Sequence, residues 1–136
     1  MAVMHVQTYL GRARDFLEGF NLLRDDLDEF GFSSALLGIH CAISYSDALR
    51  TGMGCTDVSS SGHRYAASDL KSLLTSRSFE KLQGVARLEK LLSKKDRIAY
   101  ASEAPRENEI EEIVKQTERF AFWAEETGRK LQIGGW

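Results

Sequence analysis

The chain has 136 residues, 43% of them hydrophobic and 28% charged, with a net charge of −2. Such a length buries about two-thirds of its unfolded surface without metal or disulfide staples, so one domain is expected over residues 1–136. No apolar run nears the roughly 18 residues of a membrane span and no secretory leader is visible; the two cysteines, Cys41 and Cys55, fit a reduced cytoplasmic compartment better than a disulfide framework.

Apolar residues step by three or four with almost no alternation, which predicts an all-α protein. The expected architecture is an antiparallel up-and-down bundle of four long helices and one shorter one. Val6, Leu10, Ala13, Leu17, Phe20, Leu23, Leu27 and Phe30 form one stripe, a first helix of about seven turns. Gly31 is its expected stop, and Ser33 or Ser34 the next N-cap. The second helix, residues 34–52, carries Leu36, Ile39, Ile43, Ser46 and Leu49 inward, with Ala35, Ala42 and Ala48 allowing close approach; Gly52 and Gly54 end it. A loop, TGMGCTDVSSSGHR, follows. Ser60 or Ser61 is the expected cap of a short third helix over 62–74, packed on Ala66, Leu70, Leu73 and Leu74.

Thr75 or Ser76 is the expected cap of a fourth helix from Phe79 to Leu92, and residues 93–104 read as a connection. Pro105 suits the first turn of the last helix, and Glu103, Glu107 and Glu109 suit its positive dipole end. Its stripe is Ile110, Ile113, Val114, Phe120, Ala121 and Ala124, fraying at Gly128 to Lys130.

Charge is divided along the chain: residues 1–63 carry −4, 64–97 carry +5 and 98–136 carry −3. A basic middle suits an anionic ligand. Within one bundle it is also open to neutralisation by its acidic neighbours, the plainer expectation for charges so small.

Three stretches carry a family resemblance. AISYSDAL in the second helix is similar to the tyrosine- and alanine-rich second helix of the HEPN superfamily (higher eukaryotes and prokaryotes nucleotide-binding domain). SSSGHRYAASDLKSLL resembles a Ser/Gly-His-x-x-Ala-x-x-Leu-Leu stretch of its bacterial members. KKDRIAYASEAPRENEIEEIVKQTERFAFWAEE resembles the closing pattern of Arg-x-Ala-Tyr and a glutamate-rich final helix. The resemblance as a whole covers about residues 6 to 130. The resemblance implies a homodimer, a nucleotidyltransferase-type protein partner, or a nucleotide or RNA ligand, in toxin–antitoxin and defence settings.

One departure bears on activity. HEPN ribonucleases place an arginine, four to six residues and then a histidine near the start of the last long helix. Histidines stand here only at 5, 40 and 63, none with an arginine five to seven positions upstream. The expectation is therefore a non-catalytic binding or interaction module, with no catalytic residue, cofactor or metal. The alternative is a metal-independent ribonuclease or nucleotide-processing enzyme built around His63 with Arg64 or Arg97.

The candidate ligand residues fall in two groups. Ser61, His63 and Arg64 lie at the expected start of the third helix, where unpaired N–H groups favour an anion. Lys94, Lys95, Arg97 and Tyr100 extend a basic strip begun by Arg87 and Lys90, suited to a nucleotide, RNA backbone or acidic helix. Beside these stand the plainer readings of a capped helix and a solvated face. His40, Cys41, Cys55 and His63 are zinc-ligand types without zinc-ligand spacing. Cys55 has no base in view except His63. Tyr45 and Asp47 are expected to hydrogen-bond inside the bundle or to line a pocket, and Trp136 to anchor the tail.

Overall fold

The computed structural model describes residues 2–58 and 63–136. Among the described residues it has five helices and no strand: α1 (Ala2–Leu23), α2 (Leu27–Gly52), α3 (Ala66–Ser76), α4 (Gln83–Tyr100) and α5 (Glu107–Lys130). They pack as a helical bundle around α2, which touches every other helix and pairs most extensively with α1. Its small side chains explain that position: Ala35, Ala42 and Ala48 are buried, and so is almost every residue from Gly38 onward. α5 lies along α2 and α4, and the short α3 closes one side against α2 and α4.

Two tryptophans fix the α5 side. Gly84 lets the ring of Trp123 lie against α4, where any Cβ would overlap it. The Trp123 indole Nε1 donates to the Lys81 carbonyl at 2.9 Å. Trp136 folds back over Gly128 in the same way, beside the Tyr45 ring. Its Nε1 donates to Glu125 at 3.1 Å, so the tail is anchored on the bundle.

Several boundaries differ from the sequence expectation. The first helix ends at Leu23, and Asp26 caps α2 by accepting the Glu29 N–H at 3.3 Å. Leu27 and Phe30 therefore belong to α2, with a kink at Phe30 (φ −119°, ψ 22°). The stripe hid the break because Leu23, Leu27 and Phe30 keep the helical step across a tight turn. Gly31 is no stop. It lies buried inside α2, where a Cβ would come within 3.0 Å of Ile110.

α3 starts at Ala66 after Tyr65, with no side-chain cap; the expected caps Ser60 and Ser61 lie outside the described residues. Thr75 and Ser76 end α3 rather than cap α4. α3 stops because Ser78 takes a left-handed conformation (φ 57°), letting Phe79 N–H reach the Leu74 carbonyl at 3.0 Å. α4 runs on to Tyr100 because Ile98 extends the buried Leu88 and Leu91 stripe, so residues 93–100 are helix, not connection. Pro105 sits one residue before the Arg106 N-cap, outside the first turn, and Glu103 lies in the connection. Gly54 (φ 104°) does terminate α2, with Cys55 N–H on the Arg50 carbonyl at 3.0 Å.

Candidate functional site: a three-histidine cleft

α1 carries two stripes. Val6, Leu10 and Ala13 enter the core, while His5, Tyr9, Arg12 and Phe16, spaced by three or four, line a cleft. Opposite them α2 presents His40, Ile43, Ser44 and Asp47, and His63 closes the cavity of about 430 Å³. All three histidines of the chain meet there, although they are far apart in sequence. A neighbouring cavity of about 470 Å³ shares His63 and is lined by Arg64 and Ala67 on one side and Glu89, Ser93, Lys95 and Asp96 on the other.

Burial sets the electrostatics of this site. It pushes the His40 pKa down, helped by the positive charge of Lys95. It pushes His63 down too, with Lys95, Arg50 and His40 adding to the effect. Both shifts favour the neutral imidazole, which donates one hydrogen bond and accepts another. Asp47 moves the opposite way. Burial raises its pKa to about 6, partly offset by Arg50 and Arg12.

The ring of Phe16 lies 5.6 Å from that of His40, and Arg12 sits 5.7 Å above Tyr9. Arg50, only 1% exposed, donates through Nε to Asp69 at 2.8 Å, and its Nη1 lies 3.7 Å from Asp47 Oδ1, too far for a hydrogen bond. Three buried polar atoms here have no hydrogen-bond partner: His63 Nδ1, Asp47 Oδ1 and Arg50 Nη1.

The sequence-predicted residues separate. His63, Arg64 and Lys95 come together around the shared cavities; Ser61 lies outside the described residues. Lys94, Arg97 and Tyr100 are not brought to the cleft. Arg97 is forked onto Glu109 at 2.6 and 2.7 Å, which lowers the Glu109 carboxyl to about 2. Lys94 bears on the same glutamate and Lys90 on Glu112. The basic strip thus faces the acidic start of α5. Tyr100 is left exposed at the end of α4. Arg64 lies 5.5 Å over Tyr65.

Among the described residues no three His, Cys, Asp or Glu side chains are grouped to hold a metal ion. Cys41 is buried, its thiol pushed up to about 12 by burial and then by Glu125. Cys55 is partly exposed and lies beside a different cavity from His63. Sequence reasoning left out His5, Tyr9, Arg12 and Phe16. Their three-to-four spacing was readable, but not that this second stripe would face His40 and Asp47. No described helix is long and apolar enough to cross a membrane. No protein-family model, curated protein or solved structure matches this chain.

Proposed function

We propose that this protein is a HEPN-like helical module that binds a phosphorylated, nucleotide-type ligand in the three-histidine cleft without turning it over. We also propose that it works by pairing with itself or with a nucleotidyltransferase-type partner. The observation that carries the binding reading is the convergence of His5, His40 and His63 with Tyr9 and Arg12 on one cavity, with Arg64 and Lys95 at its border. Cations beside hydrogen-bonding imidazoles suit phosphate oxygens, and Tyr9 and Phe16 offer faces to a ring.

Binding without turnover is favoured by what does not hold the imidazoles. A general base works best when a hydrogen bond orients it, yet His63 Nδ1 has no partner and no carboxylate is hydrogen-bonded to either His63 or His40 among the described residues. A second reading, phosphodiester cleavage without metal, is favoured by one observation: His40 and His63 share one cavity, and an imidazole held neutral there is able to take a proton as a general base.

Thermal melting with mono-, di- and trinucleotides and with short RNA tests both readings. A binder gains melting temperature as ligand concentration rises, roughly with its logarithm, and the effect fades as salt rises. Arg12→Ala and Lys95→Ala remove the gain. No shift with any of these ligands defeats the binding reading. RNA cleavage in EDTA that His63→Ala and His40→Ala both abolish makes the second reading right instead.

A further inference from the structure

A second region of interest, a cavity of about 670 Å³, lies on α4 and α5 and shares no lining residue with the cleft. Lys81, Arg87, Lys115, Arg119 and Lys130 line it around Phe122, which is 68% exposed, and the edge of Trp123. Its two carboxylates are already engaged. Glu118 takes Arg24 Nη2 at 2.8 Å, and Glu126 lies 3.7 Å from Lys130 and 3.8 Å from Arg129. Lys81 and Lys130 are set against each other, and that crowding lowers the Lys81 pKa. The groove therefore calls for an occupant that is acidic and apolar together.

The chain carries such a surface at its own α1–α2 turn. Asp25, Asp26, Asp28 and Glu29 are exposed there, beside Leu22 (81% exposed) and the half-open Phe30 and Phe32. Asp26 caps α2. The Arg24–Glu118 ion pair places this corner at one end of the groove.

We propose that the acidic α1–α2 corner of one copy docks into the basic α4–α5 groove of a second copy. This rests on the self-pairing part of the function above and not on the cleft. Charge complementarity selects the register, and Leu22, Phe30 and Phe32 cover Phe122 and the Trp123 edge. Because corner and groove adjoin, one two-fold axis beside the Arg24–Glu118 pair lets both contacts form at once and closes the assembly. A nucleic-acid strand is the poorer occupant, since four carboxylates stand where its backbone would leave the groove.

Reciprocal charge reversal tests this. Light scattering on sized protein, over a range of concentrations, gives the oligomeric state of the wild type, of Lys115→Glu/Arg119→Glu, and of Asp25→Lys/Asp28→Lys. The wild type is expected to be a dimer. Each variant, shown folded by circular dichroism, dimerises at least roughly tenfold more weakly. An equimolar mixture of the two variants recovers a heterodimer, because both of its contacts again join opposite charges. A monomeric wild type, or a mixture that stays apart, overturns the proposal. So does a groove variant that keeps its oligomeric state while losing affinity for single-stranded RNA. A ladder of larger species overturns the two-fold closure. Neither variant touches the cleft, so nucleotide-induced melting shifts on the same samples report the binding reading separately.

Discussion

Replacing Glu125 by alanine should cost more than any exposed ion pair in the protein. Its carboxylate is a junction of four hydrogen bonds. Arg14 of α1 donates through Nε and Nη2 at 2.8 Å each, the Tyr45 hydroxyl of α2 at 2.8 Å, and the Trp136 indole at 3.1 Å. Tyr45 is 0% exposed, so its hydroxyl would be left without this partner, at about 1–3 kcal/mol. Losing the Trp136 bond adds about 1 kcal/mol. Arg14, with a side chain 50% exposed, contributes no more than about 1 kcal/mol once solvent screening is counted.

The total is about 2–5 kcal/mol, or roughly 6–20 °C of melting temperature for a chain of this size. Urea denaturation of wild type, Glu125→Ala and Glu125→Gln measures it, with Gln intermediate because it keeps an acceptor for Tyr45. Burial pushes the Glu125 pKa up, but Arg14, Tyr45 and Trp136 outweigh it and the net shift is downward. A depressed carboxyl pKa stabilises the fold above the unfolded value, about 4.3, and that contribution fades as pH falls through the folded value. The gap between wild type and Glu125→Gln should therefore narrow in acid. A loss under about 1 kcal/mol for the alanine variant, or a gap indifferent to acid, refutes the reasoning.

Asp47 should behave in the opposite sense. Its pKa, raised to about 6 by burial, makes the folded state bind its proton more tightly than the unfolded chain does. Stability from this group is full below about 4 and is lost as pH climbs through 6, by up to about 3 kcal/mol. Denaturation of Asp47→Asn at pH 5 and 7 should lack that slope, and equal slopes in both proteins sink the assignment. Thiol titration of the native protein should find one fast group, Cys55, with Cys41 reacting only on unfolding. Two fast thiols would contradict the burial of Cys41.

The helices were legible in the sequence because burying one face requires an apolar step of three or four, and that step survives translation into any packing. Their ends were legible only where a residue type announces them. Gly54 did so at the end of α2. Ser78 and Gln132 hold the same left-handed position after α3 and α5 (φ 57° and 53°) without being glycine, so nothing in the sequence marked them. For the basic strip on α4, neutralisation by acidic neighbours was the plainer expectation, but which helix would supply them was not legible. Its complement, Glu109 and Glu112, is delivered by α5, and charge along one helix does not say which neighbour will face it. His63 was legible as unusual, but its companions His5 and His40 come from helices whose mutual rotation decides whether their second stripes meet.

That rotation also bears on why the cleft suits a ligand. The contact of α1 with α2 is the most extensive in the bundle, so the walls of the cavity are held by the core beneath them and not by bonds across it. Of the residues lining it, His63 Nδ1 and Asp47 Oδ1 remain buried without hydrogen-bond partners, Asp47 Oδ1 lying 3.7 Å from Arg50 Nη1. Buried polar atoms in that condition each cost about 1–3 kcal/mol, and a core able to do without them would have replaced them with apolar groups at little loss. A ligand that supplies a donor to Asp47 and a donor or acceptor to His63 removes that cost only in the bound state. The free energy so recovered adds to affinity and to melting temperature together, which is why the melting shift and the titration of Asp47 must move together: a ligand that hydrogen-bonds the Asp47 carboxylate lowers its pKa, and the acid-side gain in stability disappears when the cleft is filled.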